Sequence, residues 1–162
     1  MKLLRTVRFD MSDDHVYDAA AAADEWAISG AFVFAHLEPE AITGKVKQGF
    51  SNGFLGLPSW GRSTFSAVSE ATDADKENLT GALTRHFVEH YGAPNDTTAR
   101  AAAEEEVAFV IELCADTLIN TIFTVHRTFD DDGQIRESFR TIQPPTDKPL
   151  HSRIWSVVED DD

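Results

Sequence analysis

Only one cysteine, Cys114, occurs in 162 residues, which excludes an internal disulfide and suits a reducing compartment. No apolar run approaches the roughly 20 residues of a membrane helix. Residues 1–10 carry Lys2, Arg5 and Arg8 but no apolar core of signal-peptide length. The expected location is the cytoplasm, without membrane contact. Basic residues are scarce: 14 Lys and Arg stand against 28 Asp and Glu, a net charge of −14. Most of such a surface would repel a phosphate backbone, so general affinity for nucleic acid is excluded. Acidic runs at 104–106, 130–132 and 159–162 read as solvated surface. No internal repeat is visible. What the chain does have is a globular composition, 42% hydrophobic with 11 Phe and 3 Trp. At this length one domain is expected, burying roughly two thirds of the surface of its unfolded chain.

The segment 122–142 can be folded on paper. Asp131, Asp132 and Gly133 form a hairpin loop signal, with Gly133 free to adopt a left-handed conformation. A two-residue loop would mix apolar and charged side chains on both faces. A three-residue loop pairs Phe129 with Ile135, Arg127 with Glu137, Val125 with Phe139 and Phe123 with Thr141. Every large apolar residue then shares one face. Thr124, His126, Thr128, Arg136, Ser138 and Arg140 occupy the other. A one-residue slip would undo the sorting, so the pattern selects the register.

Elsewhere the reading is coarser. Strands are expected over 3–9, 26–35 and 62–70, with an irregular excursion over 10–25 holding at most one helical turn. A short helix over 43–52 is expected to end at Gly53 in a left-handed cap. Helices over about 73–91 and 97–116 are separated by Gly92, Pro94, Asn95 and Asp96, implying an antiparallel pair. On the second of these, Ala103, Val107, Val110, Ile111, Cys114 and Leu118 form the main apolar stripe. Phe109 and Leu113 lie on nearly the opposite side. Two apolar sides need two neighbours, and the second is expected to be the C-terminal tail or another copy of the chain. The fold class is therefore α+β: a mostly antiparallel sheet of about five strands with an antiparallel helix pair on one face, over Trp26, Ile28, Phe32 and Phe34. Residues 1–145 form the domain, and 146–162 an extension docked on it through Trp155, with an acidic end.

Three motifs carry possible chemistry. His86, Glu89 and His90 match H-x-x-E-H, the inverted zinc-protease pattern. The imidazoles share one helical face, but that face is apolar and would lie opposite Ala103 and Ala99, which cannot be ligands, and only Glu106, off to the side, is a candidate third ligand. No metal and no cofactor is expected. Gly49 to Gly53 match G-x-S-x-G, and Ser51 with Asp116 and His126 would satisfy a hydrolase's chain order. The helix precedes the motif here, the reverse of a nucleophile elbow. The Gly/aromatic stretch 49–61 reads as a loop packed by Phe54, Leu57 and Trp60, with a ligand or partner loop as the alternative. The constellation that stands out is basic: on the hairpin's outer face Ser138 lies opposite His126, with Arg136 and Arg140 diagonal to it. Arg5, Arg8 or Arg62 would join if their strands were neighbours.

Several blocks, 1–10, 26–32, 53–56, 101–109 and 125–141, make the chain similar to a family of small uncharacterised bacterial proteins. The resemblance covers most of the chain through Ile142. It implies one intact domain and brings no activity with it. The leading functional expectation is a non-catalytic accessory or partner-binding protein, acting as a homodimer. The alternative is an anionic-ligand or enzyme site around His126, Arg136, Ser138 and Arg140, with zinc hydrolysis through His86, Glu89 and His90 more distant.

Overall fold

The structure, a computed structural model, describes residues 1–35 and 37–142. The tail beyond residue 142, with its expected docking through Trp155, lies outside the described residues. In chain order the elements are β1 (Lys2–Val7), α1 (Ser12–Val16), β2 (Trp26–Ile28), α2 (Gly44–Asn52), β3 (Phe54–Leu57), β4 (Arg62–Ser63), β5 (Phe65–Glu70), α3 (Asp73–His90), α4 (Asp96–Cys114), β6 (Ile122–Phe129) and β7 (Ile135–Ile142). The strands form one sheet in the order β4-β3-β2-β1-β5-β6-β7, and every pair of neighbours is antiparallel. The α+β class holds, with seven strands in place of about five.

The two extra strands have a local cause. Phe54–Leu57 reads as loop in sequence because Gly56 usually weakens a strand. Here a Cβ at residue 56 would come within 2.9 Å of the Ala21 Cβ and of Glu25 Oε1, so glycine is what lets β3 pair there. The expected strand over 62–70 is broken at Thr64, which bonds to Asp13 and Tyr17. The expected strand over 26–35 stops at Ile28. Gly30 turns the chain at φ +74°, and Ala31–Phe34 coil into a 3-10 helix. A Cβ on Gly30 would sit 2.5 Å from the Leu55 Cβ, so both conformation and space require glycine.

Helix ends follow their capping residues. Thr72 and Asp75 close a capping box on α3, and the Asn95 side chain accepts from the Thr98 amide at the start of α4. Gly92, φ +70°, follows the end of α3. The cap expected at Gly53 differs: its φ is −101°, in extended backbone. Glycine eases the packing there, because a Cβ would lie 3.0 Å from both Arg62 Cδ and the Gly49 carbonyl and those neighbours would have to give.

The core joins Leu3, Leu4, Ile28, Phe54 and Val68 of the sheet to Leu79, Leu83 and Phe87 of α3 and to Ala103, Val107 and Val110 of α4. Phe32 meets Phe87 edge-on at 4.9 Å, beneath α3 as expected. Phe34 instead joins a separate cluster with Ile42 and Phe50. On the second side of α4, Phe109 lies 5.5 Å from Phe139 of β7 yet stays 41% exposed, and Leu118 of the main stripe, past the end of the helix, is 65% exposed. The sheet curls strongly. Ser29, just past β2, donates a hydrogen bond to Glu137 of β7, although β1, β5 and β6 lie between those strands. Among the described residues no helix is long and apolar enough to cross a membrane.

Candidate functional site

The β3–β4 turn presents Trp60, and several contacts fix it. The Trp60 amide donates to the Gly56 carbonyl at 2.7 Å and the Gly56 amide to Gly61 at 2.8 Å. Buried Glu25 clamps the turn from below. Its Oε1 accepts from the Ser59 amide and hydroxyl at 3.1 and 2.8 Å, and its Oε2 from the Ala22 amide at 2.9 Å. A Cβ on Gly61 would meet the backbone of Ala20 and Ala21 at 2.6 Å, so the turn is pressed against that segment. Trp60 itself takes φ +60°, a left-handed conformation that costs a bulky residue roughly 1–2 kcal/mol. Such outliers persist where surrounding structure holds them, often at functional sites.

The result is an aromatic stack. The Trp60 ring lies on His86 of α3, centroids 3.6 Å apart and planes 7° from parallel. Trp26, braced by the Arg5 guanidinium 3.6 Å from its centroid, supplies a second wall. Together with Leu57, Pro58, Leu79 and Ala82 these rings enclose a cavity of about 330 Å³, rimmed by Asn78, Arg85, Glu89 and His90. Burial, then the neighbouring His90, holds the His86 pKa below its ordinary value, with Glu89 opposing. His86 is accordingly a neutral, flat wall at neutral pH. The cavity offers stacking, apolar contact and a mixed-charge rim, and its lining contains no Ser, Thr, Cys or Lys to act as a nucleophile.

This placement corrects one expectation. His86 does not lie in a seam opposite Ala103 and Ala99; its face meets the β3–β4 turn, and Ala99 and Ala103 are buried in the core. His86 and His90 do stand together, ring centroids 4.8 Å apart. Among the described residues no three His, Cys, Asp or Glu side chains are grouped to hold a metal ion.

The hairpin has the register read from its sequence, from Ile122–Ile142 to Phe129–Ile135, with Gly133 at φ +78°. His126 pairs with Ser138, Thr128 with Arg136 and Thr124 with Arg140, so His126, Arg136, Ser138 and Arg140 share the outer face, and all four are exposed. Arg136 is engaged by Asp130 at 2.9 Å. Arg5, Arg8 and Arg62 do not join them. Arg5 covers Trp26, Arg8 pairs with Asp14 at 2.6 Å, and Arg62 is buried. A cavity of about 430 Å³ does lie beside His126, on the side facing α2, where Lys47 and Ser51 line it in place of the two arginines. Ser51 sits within α2, which leads into β3, the order opposite to a nucleophile elbow.

The sequence reading missed a pair of buried guanidiniums under this region. Arg127, 1% exposed, donates to the carbonyls of Phe50 and Gly53 at 2.9 Å, to the Ser29 carbonyl, and to Glu137 at 2.8 Å. Arg62 donates to Gly53 and Gly30 at 3.1 Å. The carbonyls at the end of α2 are thus capped by two guanidiniums, where the helix dipole favours positive charge. Burial and the nearby Arg127 pull Arg62 down to about 9. On α4, burial, then Glu137 and Glu105, push Glu106 up to about 7, against the pull of Arg127.

A model described as a family of unknown function (DUF6505) matches residues 1–155. No curated protein and no solved structure matches the chain.

Proposed function

The chain belongs to that family of unknown function, and from its geometry we propose that it is a non-catalytic binding protein whose site is the cavity between Trp26, Trp60 and α3. The observation that carries this reading is Trp60, held left-handed by the clamped turn and stacked on a neutral imidazole. Two indole walls and an apolar floor favour a flat apolar or aromatic group, offered by a small molecule or by a partner's side chain. The rim of Arg85, Glu89 and His90 would orient its polar end.

Indole serves as a probe. Titration into ¹⁵N-labelled protein should shift the Trp60 side-chain N–H and the amides of His86 and Glu89. Trp60→Ala should weaken binding at least about tenfold, the loss of one stacking partner and its buried area. Trp60→Phe should recover part of it. Equal affinity in wild type and Trp60→Ala would remove this cavity as the site.

A homodimer belongs to the same proposal. Phe109 (41% exposed), Leu118 (65%) and Ile142 (51%) leave apolar surface on α4, the α4–β6 link and β7. Symmetric pairing is the commonest way for a soluble chain to cover such surface. Light scattering at tens of micromolar should give twice the 17.9 kDa of one chain. A single-chain mass would make these residues ordinary surface.

A further inference from the structure

We propose that the cavity between α2 and β6 is a second, separate site, which takes a singly charged anion with a short apolar tail, a small carboxylic acid in chemical class. Lys47, Ser51, His126 and Thr128 are among the residues that line the cavity, and each is of a type able to donate a hydrogen bond to an oxyanion. The opposite wall is apolar, with Ile42 and Phe50 buried and Phe50 stacked on Phe129 at 4.6 Å. A cavity of about 430 Å³ with this division matches a head and a tail.

Charge supports the assignment. In a chain with 28 Asp and Glu, no acidic residue lines this cavity. Arg127 borders it, but its guanidinium is committed to the carbonyls of Phe50, Gly53 and Ser29 and to Glu137. Lys47 is therefore the one full positive charge among the lining residues that is not committed in this way, which suits a monoanion better than a phosphate dianion. The floor is rigid, because the same Arg127 contacts tie α2 to β6 and Asn52 Nδ2 donates to the Val125 carbonyl at 3.2 Å. The walls thus stand ready before a ligand arrives.

Hexanoate is the probe, with hexanol and acetate as its two halves. Hexanoate should shift the His126 ring protons and the amides of Lys47 and Thr128 in a saturable manner. Lys47→Ala, a change at an exposed side chain, should weaken it about tenfold or more, as loss of a charge-assisted hydrogen bond implies. Hexanol and acetate should each bind at least about tenfold more weakly than hexanoate. Indole saturating the Trp60 cavity should leave hexanoate affinity unchanged, so this site and the aromatic one stand or fall separately. Unshifted His126 resonances at tens of millimolar hexanoate would overturn the proposal. So would equal affinity in Lys47→Ala, or acetate binding as tightly as hexanoate.

Discussion

Exchanging Arg127 for methionine is expected to remove about 2–4 kcal/mol of folding stability, chiefly because the buried carbonyls it bonds lose their donor, Glu137 being only partly covered. The loss has two parts. Glu137 would keep its charge, with the Ser29 hydroxyl as its remaining partner in the cluster. The carbonyls of Phe50 and Gly53 at the end of α2 would lose donors in a place closed to water. Lysine should not rescue the loss, since one ammonium cannot span the carbonyls of Phe50, Gly53 and Ser29 together with Glu137. Adding Glu137→Met to Arg127→Met should cost less than the sum of the single changes, because the orphaned charge goes too. Urea unfolding of the four proteins measures this. A single-variant loss below about 1 kcal/mol would mean that Arg127 does not hold α2 to the sheet.

The second large effect is one of pH. The Glu106 carboxyl titrates at about 7 in the folded chain, against an ordinary value of 4.5. A carboxyl with a raised folded-state pKa binds its proton more tightly when folded. As pH rises above about 4.5 the unfolded chain ionises first, and stability falls until about 7, where the folded form ionises as well. Glu106→Gln, neutral throughout, should escape that decline. It should gain on the order of 2 kcal/mol over wild type between pH 5 and pH 8, after allowance for partial exposure. Parallel stability curves for the two proteins would show that Glu106 is solvated and its proton uncoupled from folding.

How far the sequence carries depends on the range of the forces involved. The hairpin was fully legible, because alternation of period two and the geometry of a three-residue loop are local and reinforce each other. Its register even places Arg127 and Glu137 among Val125, Phe129 and Phe139. Charges on an apolar face are the signature of a buried ion pair, and that signal outweighs the outer-face charges of His126, Arg136 and Arg140 on which the sequence reading turns. The helices were legible through Gly92 and Asn95 at their ends, while the Thr72 cap of α3 went unread. The aromatic site was not. Its parts were visible, His86 in a motif and Trp60 in a glycine-rich stretch, but their stacking depends on the β3–β4 turn reaching α3. That approach rests on Glu25 and on the close packing of Gly61 against Ala20, contacts that no periodicity encodes. Lys47 escaped notice for the same reason: it lines the same cavity as His126 because Arg127 draws α2 onto β6.

The most direct test of the binding reading is where indole sits. Intermolecular nuclear Overhauser effects at saturating indole should connect the ligand to Leu79, Ala82 and Pro58 and to the ring protons of Trp26, the residues that line the cavity beside Trp60. Effects confined to another surface, or none at saturation, would contradict the account.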